Sequence, residues 1–318
     1  MNEMHNFKAS WTMLEESQLL FVKGPDAAKF LQGQVTCDVR DLNNGTTCIG
    51  AQCNPKGRIL LTFRALQMDP ETIALRIPTA MRDKAQQSLG KYIVFSKAKL
   101  IDGQDEFRLF GLYGEDAHRL AEKIFPELPE QTGEFKGSAG NFIIRLDANR
   151  YECWISSPQR DEIAQQLTSM SAQGSTNDWL LLDIQNGLAN VFPETWEIFT
   201  PQEINYQLIN GVNFRKGCYT GQEIVARLHY RGKLKRHMYR LGVFTNELPA
   251  PGEQISNMTN NQTAGQVVMA AWKTKGEAEI LASVIDEHLD GLALTHNQQK
   301  LSLLSLPYAI PTADEKNE

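Results

Sequence analysis

Short apolar runs alternate with amphipathic stretches through most of this 318-residue chain. Ser17-Gln18-Leu19-Leu20-Phe21-Val22-Lys23 is apolar and stops at Gly24-Pro25, which predicts a strand closed by a turn. Pro25 suits the first turn of a helix, and Ala27, Ala28, Phe30 and Leu31 follow at helical spacing up to Gly33. Leu42-Asn43-Asn44-Gly45 predicts a hairpin turn, with residues 48–53 as the return strand, because Asn-Gly tolerates positive φ. A second turn, Asn54-Pro55-Lys56-Gly57, leads into a β-favouring run over 58–66. Residues 73–77 read as its antiparallel neighbour and 80–90 as an amphipathic helix.

The same mixture continues with strands over 107–113, 142–146 and 151–155 and helices over 116–124 and 160–172. A further helix over 179–187 is expected to be capped by Asp178, whose charge suits a helix N-terminus. After residue 237 the pattern changes to short strand candidates at 238–244, 254–255, 265–271, 277–284 and 299–304, separated by Gly, Pro, Asn and Asp. Short strands at near-regular spacing predict a small sheet or barrel. The expected class is α+β, with an α+β region over 1–237 and a small C-terminal β-barrel over 238–318.

Composition adds limits. Hydrophobic residues are 42% and charged residues 22% of the chain, the values of a globular protein able to bury a large core. The N-terminal residues lack a basic start followed by an apolar run, and no apolar stretch is long enough for a spanning helix, so a cytoplasmic, monomeric protein without a membrane partner is expected. The five cysteines, Cys37, Cys48, Cys53, Cys153 and Cys218, show no Cys-x-x-Cys spacing, and the six histidines are scattered, so no metal site is expected. Net charge is −6, yet residues 215–240 carry eight Lys/Arg against the single acid Glu223. That asymmetry points to an anionic partner at one face.

The sharpest local signal is Lys216-Gly217-Cys218-Tyr219-Thr220-Gly221-Gln222-Glu223. Two glycines bracket a thiol, Lys216 stands just before it, and Thr220 or Gly221 can open a helix from Gln222. A thiol near a helix N-terminus and beside a cation ionises more easily, which makes Cys218 and Lys216 candidate catalytic residues. A buried cysteine at a domain junction fits the same string. The following segment holds Arg227, Arg231, Lys233, Lys235 and Arg236 with Tyr230 among them. It reads either as a surface for tRNA phosphates or a polyglutamate tail, with Tyr230 stacking on a base, or as a solvated hairpin turning at Gly232.

The octapeptide 216–223 resembles the signature of the YgfZ-type folate-binding proteins, which share the scaffold of the glycine-cleavage aminomethyltransferases. Residues 24–36 resemble the first helix of that superfamily, Asn54-Pro55-Lys56-Gly57-Arg58 its Asn-x-Lys-Gly turn, and 179–187 the helix that approaches the pterin. The resemblance implies folate-binding modules in a ring-like arrangement and folate (tetrahydrofolate or a derivative) as cofactor. It also implies a role in tRNA modification and iron–sulfur enzyme maintenance, with tRNA or such enzymes as partners. Trp179 is implied to stack on folate and Gln185 to bond the pterin edge, where aminomethyltransferases have a glutamate. Leu61 and Thr62 fall where those enzymes carry an acidic pair, which tells against aminomethyl transfer. The second family aromatic falls near Ser17, a doubtful contact. A tetrahydrofolate-dependent one-carbon transferase and an RNA-binding module using 227–237 are the alternatives.

Overall fold

The computed structural model describes residues 7–311 except 139 and 233, with the side chains of 43 and 44 also left aside. Along the chain run β1 (Ala9–Met13), β2 (Ser17–Lys23), α1 (Ala27–Gln32), β3 (Cys48–Cys53), β4 (Ile59–Asp69), β5 (Thr72–Pro78), α2 (Arg82–Ile93), β6 (Lys99–Asp102) and β7 (Phe107–Gly114). Then come α3 (Ala117–Ala121), β8 (Phe135–Ser138), β9 (Asn141–Asp147), β10 (Arg150–Ser156), α4 (Arg160–Met170), β11 (Ala172–Gln173), α5 (Thr176–Gln185) and α6 (Gln222–Tyr230). The last strands are β12 (Arg236–Phe244), β13 (Gln254–Asn257), β14 (Thr263–Thr274), β15 (Glu277–Ile285), β16 (Leu292–Leu294) and β17 (Leu301–Leu304). The content is mixed α and β.

Contacts divide the chain into two compact units, each discontinuous in sequence. The first comprises Met1–Leu31, Val39–Cys48 and Phe63–Trp179; the second comprises Gln32–Asp38, Ile49–Thr62 and Leu180–Glu318.

In the first unit, the sheet β11-β1-β7-β10-β9-β8 shows why its strands read as they do. Side chains alternate across a strand, and both faces of this sheet are covered. Phe110 and Leu112 of β7, with Tyr151, Cys153 and Ile155 of β10, pack with Ala117, Leu120 and Ala121 of α3 and Leu167 of α4. The opposite face sends Leu109 and Trp154 against Leu19 and Phe21 of β2, Leu66 of β4 and Ala74 of β5. Trp179 belongs to this inter-sheet core, only 2% exposed. The antiparallel pairing of β4 with β5 expected from the sequence is present, Arg64 opposite Arg76.

In the second unit, β16-β13-β14-β15-β12-β17 form one antiparallel sheet. Ala278, Ile280, Ala282 and Val284 alternate along β15 into a core with Leu241, Val243, Ile255 and Val267. The sheet is curled, and an isolated bridge from Ala293 to Lys300 joins its two ends next to β16 and β17. The expected barrel is therefore a curled half-barrel sheet.

Two local expectations change. Val39–Asn44 is a 3-10 helix, so the Asn-Gly step does not close a hairpin. No strand precedes β3 as a hairpin partner; its neighbour in the sheet is β4, and Val35 bridges Gln52 singly. The α5 cap is Ser175, whose Oγ accepts the Asp178 N–H at 3.2 Å, while Asp178 Oδ2 accepts the Ser175 N–H at 2.8 Å. This reciprocal box places Asp178 in the first turn instead of at the cap.

Gly111 makes room for Trp179: a Cβ there would lie 2.3 Å from the indole Cε3. Gly111→Ala should destabilise the protein by about 1–3 kcal/mol, the usual cost of overpacking, read as a lower urea midpoint.

Candidate functional site

The signature segment is held from both sides, and its cysteine is left in solvent. Lys216 is 5% exposed, and its ammonium donates to the carbonyl oxygens of Val35 and Cys37, each at 2.6 Å. A buried ammonium needs such acceptors, because an unpaired buried charge is costly. The same ammonium lies 5.2 Å from the Tyr219 ring centroid, a cation–π distance. Asn213 Oδ1 accepts the N–H groups of Arg215 and Lys216 at 2.8 and 3.0 Å, turning the chain into the motif.

The neighbouring strand of backbone is tied in as well. Asn213 N–H donates to Thr36 O at 2.9 Å, and Thr36 Oγ1 donates to Gly211 O at 2.6 Å while accepting the Ala51 N–H at 2.9 Å. Past the cysteine, Thr220 N–H donates to Gly33 O at 3.2 Å and Tyr219 is 7% exposed. Gly221 (φ 84°) caps α6 against the 54–57 turn, where a Cβ would meet Asn54 O at 2.4 Å. Asn54 Oδ1 in turn accepts the N–H groups of Lys56 and Arg58 at 2.9 and 3.0 Å. Gly217, by contrast, has open space around its Cα and needs no glycine conformation. Cys218 is the one exposed cysteine of the five.

Lys216 therefore serves the loop as a pin, its charge committed to two carbonyls. The helix expected from Gln222 is present as α6. Gln222 is half-buried and Glu223 exposed in its first turn. The other cysteines differ from Cys218. Burial pushes the Cys53 thiol up to about 12 and raises Cys153 further.

Trp179 is packed on all sides by protein. Gly111 lies against its six-membered ring, Tyr113 meets it edge-on with centroids 6.2 Å apart, and Arg150 stands 5.5 Å from its ring. The indole is buried, only 2% exposed. Its Nε1–H has no hydrogen-bond partner, and neither does the Nε of Arg76. The buried Glu152, in register with Gly111, accepts the Trp154 Nε1–H at 2.7 Å and faces Arg76 Nε at 3.8 Å. Gln185 is half-buried at the end of α5. It lies six residues beyond Trp179, roughly 240° around the helix, so the two side chains leave in different directions.

Leu61 and Thr62 are fully buried. Thr62 Oγ1 accepts the Val191 N–H at 3.0 Å and donates to Asn190 Oδ1 at 3.3 Å, so its hydroxyl is a structural link. Ser17 is half-buried at the start of β2, opposite Pro78. Arg227 and Arg231 are exposed on and just after α6, Lys235 is exposed and Arg236 half-buried; Lys233 lies outside the described residues. The helix α6 runs to Tyr230, so Gly232 lies between it and β12. Among the described residues, no group of three or more His, Cys, Asp and Glu could hold a metal, and no helix is long and apolar enough to cross a membrane.

Sequence reasoning missed Asn213, Thr36 and Phe214. Asn213, two residues before Arg215, carried an Asx-turn signal. Thr36 carried none, since its partners are far away in sequence. Phe214 stacks on His229 with centroids 3.7 Å apart and planes 11° apart, a contact that depends on where α6 ends.

The family described as GCVT N-terminal domain matches residues 2–157. The glycine cleavage system aminomethyltransferase T from Bartonella henselae superposes with a TM-score of 0.70 at 16% identity, covering 96% of this chain and 87% of that one. The fold is thus that of the aminomethyltransferases. The tRNA-modifying protein YgfZ of Yersinia enterocolitica is 31% identical over 304 residues, 93% of this chain and 92% of the relative. YgfZ of Hamiltonella defensa is 31% identical over 296 residues, 92% and 85% of the two chains. The chain belongs to the family of the tRNA-modifying protein YgfZ.

Lys216→Met should cost about 1.5–3 kcal/mol, since it removes a charged donor from two buried carbonyls; the urea midpoint will report it. Native alkylation at pH 8 should label Cys218 before Cys53 and Cys153, which a raised pKa keeps as protonated, buried thiols. Peptide mass spectrometry reads the order, and equal rates would contradict the burial pattern.

Proposed function

We propose that this protein is a folate-binding accessory factor in tRNA modification and iron–sulfur enzyme maintenance, with Cys218 as its working thiol. The observation that carries the reading is the exposed sulfur on a loop held by Lys216 before it and by Thr220 and Gly221 after it. A loop with so many internal bonds keeps its tip in one place, which is what a thiol needs to meet a partner's reactive group. The relatives, tRNA-modifying proteins by name, support tRNA modification as the process. One cysteine cannot hold an iron–sulfur cluster, which needs about four thiolates, so any cluster contact is shared with a partner enzyme.

Folate as the ligand is supported by the family and the fold: the GCVT N-terminal domain matches residues 2–157, and the chain superposes on an aminomethyltransferase. When bound, folate supplies a carrier for one-carbon units. The protein's own part is to bind and orient it. With Leu61 and Thr62 buried and Thr62 engaged by Asn190 and Val191, the expected acidic pair of the transferases has no counterpart at these two positions.

The test uses a strain lacking its own YgfZ-type protein, complemented with this chain. Cys218→Ser should lose most of the support for tRNA thiolation, measured as thionucleoside content by mass spectrometry. The same purified variant should bind tetrahydrofolate like wild type in calorimetry. Full thiolation with the serine variant would refute a thiol mechanism.

A further inference from the structure

Three rings meet on the surface at the end of α6. The faces of Phe214 and His229 are parallel, and Tyr230 stands edge-on to both, 6.2 Å from Phe214 and 4.7 Å from His229. Tyr230 is 66% exposed, so this cluster faces solvent where core aromatics would be covered. Arg215 follows Phe214 directly and is exposed. Arg227 and Arg231, three residues before and one after Tyr230, are exposed too, and Arg231 N–H bonds back to Arg227 O at 2.9 Å. Residues at this spacing share one side of a helix end. The single acid of α6, Glu223, sits in the first turn at the opposite end.

We infer that this platform seats an unpaired nucleobase of an RNA strand, with the adjoining phosphates on Arg215, Arg227 and Arg231. The inference rests on the tRNA reading above and adds direct contact with the nucleic acid at a defined surface. The chemistry selects the ligand. An acidic peptide would satisfy the arginines and leave the ring faces bare. A base with its phosphates uses both, because every base has a flat face and every linkage an anion. The base has to be unpaired, since in a duplex its neighbours already cover both faces. The rings stand on the same segment that leads to Cys218, four residues beyond Phe214.

Fluorescence anisotropy with the full chain tests it, using a labelled RNA hairpin with an open loop, a fully paired RNA duplex of equal length and a DNA hairpin of the same sequence. The RNA hairpin should bind more tightly than either of the others. Tyr230→Ala should weaken hairpin binding about tenfold and leave duplex binding unchanged, while Tyr230→Phe, which keeps the ring, should retain it. Arg227→Gln with Arg231→Gln should flatten the dependence of log affinity on log salt by about 1.4, two single-strand phosphate contacts. Hairpin binding indifferent to Tyr230→Ala, or a duplex bound as tightly as the hairpin, overturns the platform. Equal affinity for the DNA hairpin overturns the assignment to RNA. Cys218→Ser should bind the hairpin normally, so loss of thiolation in that variant and loss of RNA binding in the Tyr230 variant are separate results.

Discussion

The position of the exposed sulfur depends on one buried cation. Lys216 is inside the protein because two carbonyls of the 32–38 segment and the Tyr219 ring receive its ammonium. Removing an ammonium from water is unfavourable unless acceptors replace the lost hydration, and these acceptors occupy fixed backbone. Lys216 can be satisfied only when the segment 211–221 lies along residues 33–37, which sets the path of the backbone on both sides of Cys218. Thr36, Asn213 and Thr220 reinforce this alignment with individually modest bonds.

The first unit uses the opposite economy: its inter-sheet core is apolar except for a band of Arg76, Glu152, Arg150 and the indoles of Trp154 and Trp179. Arg150 is nearly covered and bonds Asp147 Oδ2 at 2.6 Å. Buried polar groups are tolerated when each has a partner, and the unpaired Trp179 Nε1 marks where this band is incomplete. One unit thus places a thiol by a buried charge, and the other keeps donors in reserve inside a hydrophobic sandwich.

Most elements could be read from the chain because their patterns are local. The run 17–23 is β2, residues 48–53 are β3 and the helix from Gln222 is α6, each marked by its own periodicity and by a glycine or turn at its end. β1, β6, β8 and β16 escaped because they are short, and their place in a sheet is set by neighbours distant in sequence. The site divided in the same way. Cys218 stood out because glycines bracket it. The role of Lys216 did not, because a lysine beside a cysteine reads as an activator until its acceptors, about 180 residues away, are in place. The surroundings of Trp179 were hidden for a related reason: Gly111, Tyr113 and Arg150 meet an aromatic on a helix only when the sheet is assembled.

Gly111 and Trp179 also bind each other's evolutionary options. A side chain at 111 and an indole at 179 claim the same volume, so substitutions at the two sites cannot act independently. Relatives that gain a bulkier residue at the first position should carry a smaller ring or an aliphatic group at the second. Drift at this pair would be concerted, and the interior of the first unit would be remodelled in paired steps.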